Sequence, residues 1–231
     1  MADQWTEEAC RRKYESLVRS RPQIFGPHQS GAYRILLDRE LVERAQAEAA
    51  RYRAAHGLAC EDLRVGVLAD DPYVLVMREA VEFPDGRLGL YNRLHVPASV
   101  VVMPMLNGDV VLINRYRHGT RAWHYEFPRG IIEEGEDLEA CVRRELAEEI
   151  GASALDVRRL GGLHASSGIT NEYSDIVAAR IAGFGRPDAH EAIMRIDAVA
   201  PGEFRRMIGA GEITDGQTLA GYAQAVAAGL L

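Results

Sequence analysis

The sequence predicts an α/β protein in which a mixed sheet lies between layers of helix. A small antiparallel β unit and an N-terminal helical extension precede that sandwich. Residues 1–60 carry helical patterning with mixed charge. From Arg64 the pattern changes to short strands separated by turn residues. After residue 97, strands and helices interleave, the arrangement of a sheet covered by helices on its faces. The expected divisions are therefore 1–60, 61–96 and 97–231.

Thr6 can cap a first helix that fades before Pro22, and Asp38 a second that ends at Gly57. Up to His56, ten Lys or Arg face eight Asp or Glu, a balance of +2. These read as solvated helices, not as a nucleic-acid arm. Strands follow at Arg64–Leu68, Tyr73–Val81 and Gly89–His95, separated by Asp70-Asp71-Pro72 and Pro84-Asp85-Gly86. Ser99–Leu106 and Val110–Tyr116, joined by Asn107-Gly108-Asp109, read as a hairpin. A loop then leads into a helix over about Leu138–Ile150. Strands near Val157–His164 and Ser174–Ile181 come next, then helical stretches from Pro201-Gly202-Glu203 and over Thr218–Ala228.

Composition bounds the function. At 231 residues the chain can bury one good core with a smaller appended unit. Hydrophobic residues make up 47% and charged residues 26%, ordinary for a globular protein. A net charge of −7 argues against nucleic-acid binding through a broadly basic surface. Cys10, Cys60 and Cys141 form neither a C-x-x-C pair nor a disulfide framework, and Cys141 reads as a small buried side chain. The start, MADQWTEEAC, lacks the apolar core of a secretory signal. The longest apolar run, Val96–Leu106, is broken by Pro97 and Pro104 and is too short to span a membrane. A reduced cytoplasmic compartment is the expectation.

The chemistry concentrates between Gly130 and Ala152, GIIEEGEDLEACVRRELAEEIGA. Asp137 can cap the helix, and Gly151 suits the left-handed residue past its end. Leu138, Val142, Leu146 and Ile150 recur every four residues and form a buried stripe. Glu145, Glu148 and Glu149 stand at i, i+3 and i+4, so their carboxylates gather on another face. Such a group repels itself unless a cation sits among it, and oxygen-only ligation suits Mg²⁺ or Mn²⁺. Glu149 and Glu145 are the leading ligands, with Glu148 third. Arg144 lies about two turns from Glu136, so that pair can tie the preceding loop to the helix.

Gly130, Glu136, Arg144, Glu145, Glu148, Glu149 and Gly151 together resemble the Nudix box. With each residue type at about 7%, chance fills one such window roughly once in 10⁸. The resemblance implies a Nudix-type α/β/α sandwich and hydrolysis of a nucleoside diphosphate linked to another group. It covers roughly residues 64–228. Tyr116-Arg117 and Glu126-Phe127-Pro128-Arg129-Gly130 are similar to the ADP-ribose pyrophosphatase subgroup, with Phe127 for Leu and Arg129 for Ala. In that subgroup the residue before the glycine offers its backbone carbonyl to a metal, a role Arg129 can fill whatever its side chain. Ser166-Ser167-Gly168-Ile169-Thr170-Asn171-Glu172 resembles the subgroup's Ser-Pro-Gly-x-x-x-Glu loop. Ser167 stands where the subgroup has proline, which bears on ADP-ribose preference and leaves the hydrolase chemistry untouched. The stretch Gly211–Thr218 also resembles the subgroup's tail, as a structural element.

The resemblance implies catalytic roles for Glu172, Glu148 and Arg144, with Glu172 either the base that takes a proton from the attacking water or an exposed loop carboxylate. Arg117, then Arg115 and Arg129, are the expected grips on the diphosphate, each with a structural ion pair as the alternative. Gly130, Glu136 and Gly151 are expected to be structural. His118, His124 and His164 lack metal-ligand spacing. Trp123 and Tyr125 can stack on a base or pack against neighbours. No Gly-x-Ser-x-Gly elbow surrounds Ser166 or Ser167. The expectation is thus a Mg²⁺- or Mn²⁺-dependent homodimeric hydrolase of ADP-ribose or a related nucleotide sugar, with a small-molecule substrate and neither nucleic-acid nor membrane partners. The alternatives are another sugar nucleotide, such as GDP-mannose, and a non-catalytic ADP-ribose sensor.

Overall fold

Thr6 caps the first helix, α1 (Glu7–Ser20), its hydroxyl accepting the Ala9 N–H at 3.3 Å. A computed structural model of the chain describes residues 5–26 and 32–231. Parts of the expected extension, residues 1–4 and 27–31, lie outside the described residues. The chain divides into two units. One holds residues 1–96 with 166–171, the other 97–165 with 172–231.

In the first unit a 3-10 turn over Pro22–Ile24 follows α1, then β1 (Arg34–Ile35) and α2 (Arg39–Ala55), which Asp38 caps through Leu41 N–H at 3.1 Å. β2 (Gly66–Asp71), β3 (Val74–Glu82) and β4 (Leu88–His95) complete an antiparallel sheet in which β1, β2 and β4 all pair with β3. β2 starts and ends later than the turn residues suggest, because Asp70 and Asp71 still pair with Leu75 and Val74. Tyr14, Ile24, Val67, Leu75 and Met77 form one small core, and Leu36, Val42, Ala45, Val65 and Ala80 another. Glu79 is buried in this unit, where it accepts from Tyr14 Oη at 2.8 Å and Arg93 Nη2 at 3.1 Å.

The second unit is an α/β/α sandwich. Its strands are β5 (Ser99–Leu106), β6 (Asp109–Arg117), β7 (Ala122–Glu126), β8 (Arg129–Ile131), β9 (Ala154–Leu163), β10 (Ser174–Ile181) and β11 (Ile193–Val199). The sheet runs β11-β6-β5-β10-β9, with β7 added to β6 and β8 to β5. β5 and β10 are parallel and every other pair is antiparallel, so the sheet is mixed as expected. Asn107 and Gly108, both at positive φ, make the two-residue turn between β5 and β6.

Alternation along β5 and β6 sorts side chains to two faces. Val100, Val102, Val111 and Ile113 pack under α3 (Leu138–Ile150) with Cys141, Val142, Leu146 and Ile150. Val101, Met103, Val110 and Leu112 face α4 (Pro201–Gly209) and α5 (Gly216–Ala227) with Phe127, Phe204 and Met207. Leu146 is fully buried, worth about 1.5–3 kcal/mol of apolar transfer. β7, β8 and β11 are additions to the expected strand list. β8 has three residues, too few for a readable alternation.

Candidate active site

α3 begins as the sequence predicts, Asp137 accepting the Ala140 N–H at 2.8 Å, and ends at Gly151 with φ of 59°. Its buried stripe fixes the helix rotation, and that rotation turns Glu149 toward β6 and β8 and Glu145 toward β8. Glu145 and Glu149 are buried, at 6% and 1% exposure, while Glu148 sits at the rim.

The register of β8 on β5 prepares the place for Glu149. Val100 pairs with Gly130 and Val101 with Arg129. Val102 N–H reaches Pro128 O at 2.8 Å and Ile132 N–H reaches Ala98 O at 3.0 Å. Narrow pairs therefore fall on even β5 residues, and Arg129 lies between them with its N–H and C=O turned away from β5. Its N–H donates to Glu149 Oε2 at 3.0 Å, and its carbonyl points to the same side. Arg115 Nη1 donates to Glu149 Oε1. Burial pushes the Glu149 carboxyl up to about 8; Arg115 and the Arg129 N–H pull it down, while Glu145 and Glu191 add to the rise.

Gly130 makes room for Glu145. A Cβ there would fall on the Glu145 carboxylate, well inside the 3.0 Å that real Cβ atoms keep. Burial also raises Glu145, against the pull of Arg144.

Arg144 ties these parts together. Its Nε and Nη2 hold Glu136 at 2.9 and 3.0 Å, as the spacing predicted. Nη1 reaches Glu145 at 2.6 Å and Glu148 at 3.1 Å, and Nη2 reaches Ile131 O at 2.9 Å. Arg144 holds the Glu136 carboxyl down at about 2. Glu136 also accepts the Glu133 N–H at 3.0 Å, so the loop is pinned at both ends.

The three arginines expected on the diphosphate all carry ion pairs here. Arg117 Nη2 lies 2.5 Å from Glu126, a carboxylate with no exposure. Arg115 spans Glu149 and Glu191, the latter at 2.7 Å. Arg129 reaches Glu126 at 3.0 Å, Asp215 at 2.9 Å and Gln217 Oε1. The structural alternative for these side chains is thus what the geometry displays, although a guanidinium's five donors leave capacity for more. For Asp215, burial works upward, but Arg129 and Thr218 outweigh it and the carboxyl sits low.

Glu172 lies two residues before β10. It accepts from Gln217 Nε2 at 2.8 Å, and its carbonyl contacts His164 Nδ1 at 3.0 Å. Ser99 pairs with Ser174 on one side and Ile131 on the other, so Glu172 and Gly130 stand at the same end of β5. His124 pairs with Thr120 at 2.6 Å, and Trp123 packs on Tyr116 edge to face while 48% exposed.

The sequence reading passed over Glu126, Glu191 and Gln217 as parts of the site. Glu126 had a usable signal, a glutamate three residues before Arg129, and Gln217 lay in the tail stretch Gly211–Thr218, expected to be structural; Glu191 had none. Among the described residues no three His, Cys, Asp or Glu side chains converge as a metal cage, and Arg115 and Arg144 pair with the α3 carboxylates. The donor set still fits a hard cation. It combines three carboxylates with a backbone carbonyl aimed at their side, in a cradle that a Cβ would fill.

Residues 95–212 match the NUDIX domain family, and the chain belongs to it. It is 32% identical over 153 residues to an ADP-ribose pyrophosphatase of Mycobacterium tuberculosis, covering 62% of this chain and 72% of that one. It is 28% identical over 120 residues to the ADP compounds hydrolase NudE of Escherichia coli, covering 51% of this chain and 64% of that one. A crystal structure of an ADP compounds hydrolase superposes with a TM-score of 0.63 at 20% identity, over 73% of this chain and 95% of that chain, which supports the fold. The resemblance to the ADP-ribose pyrophosphatase subgroup is borne out, and with it the expected class, a Nudix pyrophosphohydrolase. Among the described residues no helix is long and apolar enough to cross a membrane.

Proposed function

We propose that the protein hydrolyses the diphosphate linkage of ADP-ribose or a related nucleoside diphosphate sugar, giving a nucleoside monophosphate and a sugar phosphate. The observation that carries this reading is the pair of buried carboxylates, Glu145 and Glu149, seated against Gly130 and the Arg129 N–H. A divalent cation beside this pair would add to the counter-charge that Arg115 and Arg144 already supply.

Glu145, Glu148, Glu149 and the Arg129 carbonyl would hold Mg²⁺ or Mn²⁺. The ion would neutralise diphosphate charge and make a water easier to deprotonate. The chain's own groups then do the rest. Glu172 accepts the proton of the attacking water; the new P–O bond forms as the bridging P–O bond breaks, and the leaving phosphate takes the bond's electron pair. Arg144 keeps Glu145, Glu148 and the loop from Ile131 to Glu136 in one geometry. Arg117, Arg115 and Arg129 keep donors available for phosphate oxygens. Cys10, Cys60 and Cys141 are free thiols, which fits a reducing cytoplasmic setting. A homodimer built through the strands at 61–96 completes the reading, and only monomer in sedimentation at micromolar concentration would reject that part.

The test is a panel of nucleotide sugars, dinucleoside polyphosphates and NADH, with products identified by chromatography with and without EDTA. AMP and ribose 5-phosphate from ADP-ribose, abolished by EDTA, are expected. Undiminished turnover in excess EDTA, or no turnover of any nucleotide sugar, refutes the reading.

A further inference from the structure

Gln217 sits in the first turn of α5, only 8% exposed, with both ends of its amide engaged. Nε2 donates to Glu172 Oε1 at 2.8 Å and to Ser174 Oγ at 3.0 Å. Oε1 accepts from Arg129 Nη1. The orientation of an amide can be ambiguous, but here it is fixed by chemistry: a guanidinium only donates and a carboxylate only accepts. Oxygen must face Arg129, and nitrogen must face Glu172.

We propose that Gln217 is a positioning residue that holds the Glu172 carboxylate in register with Arg129 and the β8 backbone. This rests on the reading of Glu172 as the proton acceptor. Arg129 is itself braced by Asp215 at 2.9 Å and Glu126 at 3.0 Å, so the amide is anchored on a fixed base. Asp215 also caps α5 through Thr218 N–H at 2.8 Å, which fixes the helix turn that carries Gln217. The opposite end of the strand start is held as well. Ser174, fully buried, contacts Ser99 Oγ at 2.7 Å. Glu172 is thereby gripped at its backbone by His164 and at its carboxylate by Gln217. A loop carboxylate with no such grip would spend much of its time away from a productive position.

Only a neutral amide of this length joins a cation to an anion in this way, and that gives the test its contrast. Gln217→Glu keeps an acceptor for Arg129 and loses the donor to Glu172. Gln217→Met keeps the volume and loses both. Gln217→Glu, which leaves the Arg129 contact in place, is expected to lower kcat about tenfold or more with KM within about twofold. Gln217→Met, which loosens a guanidinium proposed to grip the diphosphate, is expected to lower kcat at least as far and to raise KM as well. Wild-type kcat in Gln217→Glu with loss only in Gln217→Met would overturn the proposal, because the Arg129 contact alone would then matter.

A second measurement needs no turnover. In ¹⁵N spectra of the full chain, the Gln217 side-chain NH₂ signal should move in Glu172→Ala. An unmoved signal overturns the proposal. An inert wild-type protein whose Gln217 signal does respond to Glu172→Ala would refute the hydrolase reading and leave the contact established.

Discussion

Gly130→Ala is the sharpest probe of how the site is built. Gly130 has no positive φ to protect and pairs with Val100 in the sheet, so an alanine costs the backbone little. The nearest obstacle is the Glu145 carboxylate, which the new Cβ would overlap. The carboxylate is the end of a flexible side chain and can retreat, whereas the backbone of β8 is held on β5. A retreat of about 1 Å is therefore the expected response, and misplacement of that size costs about 10² in rate. Stability should fall by about 1–3 kcal/mol, since a buried carboxylate is crowded and no apolar contact is lost. The assay is kcat/KM on ADP-ribose beside a thermal melt. Activity within twofold of wild type would mean that the Glu145 position does not govern the chemistry. A collapsed melt would mean that the glycine serves the fold.

Two further substitutions separate chemistry from folding. Glu149→Gln keeps the shape and removes the charge that would hold a cation, so kcat should drop at least about 10²-fold; near wild-type kcat would displace Glu149 from the site. Thr218→Ala removes the hydroxyl that accepts the buried Phe127 N–H at 3.0 Å and donates to Asp215 at 2.8 Å. Leaving that N–H unpaired costs about 1–3 kcal/mol, or several degrees of melting temperature, and an unchanged melt would refute the account.

The helix was legible because every signal in it is local. The Asp137 cap, the four-residue stripe and Gly151 each act within one or two turns, and α3 runs over the expected Leu138–Ile150. The bond between Arg144 and Glu136 was legible for the same reason, since eight positions is a helix-scale reach. What stayed hidden is what tertiary structure brings together. Glu191 meets Arg115 from 76 positions away only because β11 pairs with β6, and no alternation marked β11 as its neighbour. Gln217 meets Glu172 across 45 positions because α5 crosses the sheet at the end where β10 begins. The resemblance located Tyr116-Arg117 and the stretch Glu126–Gly130, but gave no role to the acids, Glu126 and Glu191, that hold the arginines.

Those partnerships explain why an acidic helix face can be buried before any cation is present. Arg144 and Arg115 are each shared between carboxylates. Arg144 serves Glu145 and Glu148 and also Glu136; Arg115 serves Glu149 and also Glu191. If a divalent ion claims the α3 glutamates, neither arginine is left buried and unpaired, a state that costs about 3–5 kcal/mol. Glu191 is then as important to the bound state as to the free one, although it is not proposed as a ligand. Glu191→Gln removes the second partner of Arg115, which should cling to Glu149 and oppose the ion. The apparent Kd for Mn²⁺, read by titration of the full chain, should rise about 10- to 100-fold, the range for outer partners of a metal site. An unchanged Kd would show that Arg115 does not exchange partners, and that the acids of α3 find their counter-charge some other way.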